Sequence, residues 1–152
     1  MKTTLKTLVE TLLLFLLGGS TYFLIEILWR GYSHWTMFLL GGLCFICIGL
    51  INQFYFTWDM NVFYQMLIGS VMVTGLEFVV GCIVNVWLGW GIWDYSAIPC
   101  NVLGQVCIPF ALIWYGLSLV AIIVDDVVRW LVFGEDKPHY YISKPCKQKS
   151  TQ

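Results

Sequence analysis

An all-α, polytopic membrane protein is the fold class this sequence predicts: four transmembrane helices paired as two tandem helical hairpins, with an aromatic outer loop. Three observations carry that prediction. The 152 residues are 59% hydrophobic, 17% aromatic and only 11% charged, too few polar side chains to coat a water-soluble globule. Four stretches, roughly residues 8 to 29, 36 to 56, 63 to 88 and 106 to 128, supply the roughly 20 apolar residues that a hydrocarbon core about 30 Å thick requires. Finally, Tyr32-Ser33 followed by Leu40-Gly41-Gly42-Leu43-Cys44 recurs 63 positions later as Tyr95-Ser96 followed by Leu103-Gly104-Gln105-Val106-Cys107. One glutamate, Glu26 or Glu77, precedes each copy in an apolar run.

Little chain is left for anything else, so a single four-helix transmembrane domain over residues 1–133 is expected, with a short polar tail over 134–152. The first span is too long for a secretory signal, and no small-x-small cleavage pattern follows it. Lys2 and Lys6 precede it, while Arg129, Lys137, Lys144, Lys147 and Lys149 sit at or beyond the end of the fourth; the opposite side holds only Arg30. Short cationic segments stay in the cytoplasm, which predicts a cell-membrane protein with both termini cytoplasmic and the Trp58-Asp59-Met60-Asn61 turn beside them.

The first helix runs from the leucine-rich Leu12 to Leu17, is interrupted in pattern by Gly18-Gly19-Ser20, and continues to Trp29-Arg30. A turn at Gly31 to Trp35 carries the Tyr and Trp that suit the headgroup layer. The second helix is lined early by Gly41 and Gly42 and ends near Asn52-Gln53. In the second hairpin Glu77 lies 18 residues before Tyr95, whereas Glu26 lies 6 before Tyr32, so about three helical turns are inserted. That insert, Val86 to Trp93, is rich in aromatics and glycine, and its end together with Asp94 to Gly104 predicts an outer cap. Pro99 and Pro109 bracket a break before a new helix. A unit of two crossings returns to its starting side, so repeats of this kind would be parallel.

Glu77 is the leading candidate site residue. It stands near the centre of the third span with no cation within a helical turn, and an ionised carboxylate there costs at least ~2.5 kcal/mol. It is therefore expected to be protonated, paired across helices or facing a wet cavity. Two readings follow: a proton, cation or polar-ligand site, or a structural hydrogen bond to a neighbouring helix. Glu26 has Arg30 four residues on, the spacing and order of a local ion pair. Asp125, Asp126 and Arg129 have similar spacing at the end of the fourth span and predict ion pairing within a solvated helix terminus. In the cap, Trp93, Asp94, Tyr95, Asn101 and Gln105 are candidates for a polar outer mouth above Glu77; alternatively Asp94 and Asn101 bond their own backbone and Gly104 permits a close helix start.

Six cysteines fall mostly inside apolar runs, which argues against a disulfide framework. Cys44-Phe45-Ile46-Cys47 matches C-x-x-C but lies within a span, so a membrane thiol oxidoreductase is the least favoured reading. His34 and His139 are expected on opposite sides of the membrane. No phosphate loop, catalytic constellation, metal-ligand set or cofactor motif stands out, and no basic patch suits nucleic acid.

Gly31-Tyr32-Ser33-His34-Trp35-Thr36-Met37 leading into Gly41-Gly42, then Leu76-Glu77, Trp93-Asp94-Tyr95-Ser96, Asn101-x-x-Gly104 and Trp114, resembles the CmpB-like family labelled putative ABC-transporter type IV. Trp114-Tyr115-Gly116 departs from that pattern, which has Trp-Gly. The resemblance implies a small multi-pass membrane protein. A transport role on four helices and no nucleotide-binding motif would require a homo-oligomer, a partner membrane protein or a separate ATPase subunit. The expectation is a transport or permeation component with an intramembrane carboxylate, the alternative a non-catalytic adaptor that binds lipid or a partner helix.

Overall fold

A computed structural model describes residues 2–55 and 60–142. Trp58, Asp59, Lys144, Cys146, Lys147 and Lys149 lie outside the described residues. The order is α1 (Lys2–Arg30), α2 (Trp35–Leu50), α3 (Val62–Gly81), a two-stranded antiparallel hairpin of β1 (Asn101–Val102) and β2 (Val106–Cys107), and α4 (Ile108–Phe133). Helices α2 and α3 continue as π-helical turns through Tyr55 and Trp87. Four segments, Leu5–Arg30, Trp35–Gln53, Val62–Trp87 and Ile108–Phe133, are long and apolar enough to cross a membrane.

The two hairpins form as expected, α1 lying chiefly against α2 and α3 against α4, while α1 and α4 meet only sparsely. Glycine explains the first pairing. A Cβ on Gly18 would fall 2.6 Å from Phe45 Cγ, and one on Gly41 would fall 2.8 Å from Tyr22 Cγ. Bare backbones let α1 and α2 approach closely, the packing that drives helix association where lipid is as apolar as the side chains. Gly18-Gly19-Ser20 therefore does not interrupt α1, which runs straight through it.

Both α1 and α4 have one end at what we call the terminal end of the bundle, where Lys6 Nζ donates to Phe133 O at 2.8 Å. Gly134 closes α4 in the left-handed region, φ 70°, and the chain then folds back. Tyr141 pairs with Asn61, and Val62 N donates to Tyr141 O at 2.9 Å. At the opposite, cap end, His34 caps α2 through Nδ1, and Trp93 is buried with its Nε1 donating to Gln105 O at 3.0 Å.

The internal repeat does not carry through to the structure. Leu40 to Cys44 lies inside α2, whereas Leu103 to Cys107 is the turn and second strand of the β-hairpin. Leu103 and Gly104 both take positive φ, 52° and 67°, which reverses the chain and is incompatible with a helix. Gly104 thus makes a hairpin turn, not a helix start; α4 begins at Ile108, with Pro109 in its first turn.

Candidate functional site

Glu77 is 2% exposed, and both of its carboxylate oxygens are occupied. Tyr22 Oη on α1 donates to Oε1 at 3.0 Å, and Trp114 Nε1 on α4 donates to Oε2 at 2.7 Å. The two donor rings stack on each other, centroids 5.4 Å apart and planes at 20°. Three helices therefore meet at one carboxylate, and it has neutral donors where a cation might have stood. Neither donor is visible from Glu77's local sequence. Tyr22 offered one signal: a phenol in mid-span needs a hydrogen-bond partner once lipid surrounds it.

The Tyr22–Trp114 stack divides the sparse α1/α4 interface into two cavities. One, about 190 Å³, is lined by Leu17, Gly18, Thr21, Cys44 and Ser118 among others and runs toward the terminal end. The second, about 220 Å³, lies toward the cap and is lined by Glu26, Arg30, Tyr95 and Phe110. Tyr22, Ile25, Trp114 and Leu117 face both. Glu77 lines neither cavity, whereas both of its donor residues line the two.

The local ion pair of Glu26 and Arg30 forms at 2.8 Å. Ser33 Oγ donates to the other Glu26 oxygen at 2.6 Å, and Arg30 Nη1 donates to Ile92 O at 3.0 Å, which ties the first turn to the cap. The pair borders the cap-side cavity.

Within the cap, Tyr95 stacks on Phe110 at 4.6 Å and faces that same cavity. Burial, with the Glu77 carboxylate adding to it, pushes the Tyr95 phenol above its ordinary range. Asp94, Asn101 and Gln105 line neither cavity. Asp94 is exposed and accepts from Ser96 N at 2.8 Å and from the Ser96 hydroxyl, bonds that hold its carboxyl below the usual range. Asn101 donates to Ile98 O and accepts from Gly104 N, at 2.8 and 3.0 Å. Gln105 is buried, with its Oε1 accepting from Asn85 Nδ2 at 2.8 Å. Asn85 is a further organising residue, since its Oδ1 accepts from Ile92 N at 2.7 Å.

The terminal end holds a second polar centre, and here the expectation of a solvated helix terminus is corrected. Asp125 is 0% exposed, Asp126 3% and Arg129 8%. Arg129 Nε donates to Asp125 Oδ2 at 2.7 Å, while Nη1 donates to Glu10 on α1 and has Glu135 Oε1 at 3.8 Å. Asp126 Oδ2 accepts instead from Asn52 Nδ2 at 2.9 Å and Tyr140 Oη at 2.8 Å. The returning chain and α1 cover this cluster, neither of which the spacing within α4 reveals. Glu10, 5% exposed, escaped the sequence reading because its partner lies 119 positions away.

Cys44 is buried and Cys47 half-buried, and both are free thiols. Among the described residues no group of three or more His, Cys, Asp or Glu is arranged to hold a metal ion.

Residues 13–137, from within α1 to just beyond α4, match the family described as putative ABC-transporter type IV. The chain belongs to that family. Neither a curated protein nor a solved structure matches it. As a member of this family it is a multi-pass membrane protein, and Glu77, Tyr22, Trp114 and Glu26 all fall inside the matched segment.

Proposed function

We propose that this protein is a small transport or permeation component of the cell membrane, with Glu77 as its central polar site. One observation carries the reading: a mid-span carboxylate is held by two neutral donors, a stacked aromatic pair that lines two cavities. A carboxylate so placed costs several kcal/mol to ionise without a counter-charge, so it favours a proton, a cation or a cationic ligand group. Tyr22 and Trp114 act as the gate, and Glu26, Arg30 and Tyr95 form the cap-side approach. The two termini lie in the cytoplasm, because the cations concentrate at that end. A four-helix chain works as a homo-oligomer or with a partner membrane protein, and any ATP hydrolysis belongs to a separate subunit.

Flux assays in proteoliposomes test this. Glu77→Gln preserves the hydrogen-bonding shape and removes the charge, and it is expected to abolish proton-linked or cation-linked flux. Unchanged flux removes Glu77 from the mechanism. Trp114→Phe, which keeps a ring but loses the donor, is expected to leave a partial, leakier flux.

The open α1/α4 interface favours a second reading, a membrane adaptor that seats lipid or a partner helix. The terminal-side cavity is almost wholly apolar, and α1 leaves Leu5, Leu8, Leu12 and Leu24 exposed. Crosslinking in native membranes separates the two. A stable complex with a different polytopic protein, and no flux by the purified chain, favours the adaptor.

A further inference from the structure

We propose that the network around Arg129 is a proton-binding site, distinct from Glu77, in which Asp125 carries the proton on Oδ1. The inference stands whether or not Glu77 supports flux.

Charge balance is the first ground. Four carboxylates gather at the terminal end, Glu10 on α1, Asp125 and Asp126 on α4, and Glu135 just beyond it. Among the described residues Arg129 and Lys6 face them with positive charge, and Lys6 directs its ammonium to Phe133 O. The other polar groups, Asn52, Gln53 and Tyr140, are neutral donors. Fully ionised, this low-dielectric region would hold two more negative charges than positive ones, a cost that uptake of a proton relieves.

The pattern of hydrogen bonds selects the atom. Asp126 Oδ2 receives two donors, Glu10 receives Arg129 Nη1, and Asp125 Oδ2 receives Arg129 Nε. Asp125 Oδ1 receives nothing, and it is the one fully buried carboxylate oxygen among the described residues left without a partner. The Asn52 amide gives its NH₂ to Asp126, and its own Oδ1 is likewise unpartnered. An ionised carboxylate with one unpartnered oxygen at 0% exposure is the least stable of the set, so the proton goes there.

Packing selects the ligand. The Asp125 carboxylate rests on the backbone of Gly49 in α2, where a Cβ would fall 2.6 Å from Cγ and 2.7 Å from Oδ2. A hydrated or multiply coordinated metal ion has no place between them on that side. A proton needs no cavity. Glu135, its side chain 31% exposed beside Arg129, supplies the way in from the terminal surface, with Glu10 and Arg129 between it and Asp125.

Infrared difference spectroscopy after a pH jump, on the full chain in nanodiscs, reads protonated carboxyl groups through their C=O stretch. The Glu77→Gln protein, which lacks the central carboxyl's own contribution, is expected to show such a band together with uptake of one proton by an indicator dye. Adding Asp125→Asn is expected to remove that band and that uptake. Because the asparagine variant can fail to fold, carboxyl-labelled aspartate in the Glu77→Gln chain gives an independent readout. The band shifts with labelled aspartate and stays with labelled glutamate. A band that survives Asp125→Asn, shifts only with labelled glutamate, or never appears in the Glu77→Gln protein overturns the proposal.

Discussion

The two buried polar centres of this bundle solve the same problem in opposite ways. At Glu77 a single carboxylate receives two neutral donors from two other helices, and those donors line the cavities. Around Arg129, several carboxylates crowd one guanidinium, the returning chain covers them, and a helix backbone packs on the innermost acid. The first arrangement is buried and carries no counter-charge among its hydrogen-bond donors. The second ties α1, α2, α4 and the segment after α4 together, which suits a clamp. The contrast teaches that carboxylates can be buried to the same degree with neutral donors alone or around one guanidinium.

The largest expected effect comes from breaking the clamp. Arg129→Met leaves Glu10 buried without its counter-charge and is expected to cost about 3–5 kcal/mol, read as a lower unfolding midpoint in denaturing detergent. Adding Glu10→Gln to that variant should recover part of the loss, because the orphaned charge is removed with its partner. No recovery would mean that the two residues do not act as a pair.

Gly49→Ala comes next, at about 1–3 kcal/mol, since its Cβ intrudes on the Asp125 carboxylate. Gly75→Ala is the control within α3: nothing lies within 4 Å of its Cβ position, and little change in the same midpoint is expected.

Tyr22→Phe sharpens the other side of the comparison. It deletes one of two neutral donors to Glu77 and is expected to cost only about 0.6–1 kcal/mol, as interhelical hydrogen bonds in membranes usually do. A loss as large as that of Arg129→Met would erase the distinction between the centres.

The smallest effect concerns the exposed cap. Asp94 has its folded pKa lowered by the Ser96 bonds, so its contribution is present above the ordinary carboxylate value of 3.8 and fades as pH falls through the lower, folded value. Hydrogen exchange of the Ser96 amide should rise in that acid window relative to the rest of the cap, and Asp94→Asn should flatten the difference.

Much of the candidate site was legible as single residues and little of it as a constellation. Glu77 stood out because lipid makes an isolated acid expensive, and Glu26 with Arg30 because a four-residue spacing is local to one helix. Asp125 and Arg129 were paired correctly for the same reason, but placed in solvent, since nothing in α4 announces that Glu10 and Tyr140 will close over them. The repeat misled in a related way. Similar letters at a constant offset could not reveal that Leu103 and Gly104 adopt positive φ while Leu40 and Gly41 remain helical.

By itself the sequence determined the four apolar helices and the family, because hydrocarbon demands apolarity along each crossing. Only the tertiary structure decided which polar groups meet. Tyr22 and Glu77 are 55 positions apart, Glu77 and Trp114 are 37, and Glu10 and Arg129 are 119. Such contacts depend on how helices are rotated and how closely glycine lets them approach, and neither quantity is written in the hydropathy of any one helix.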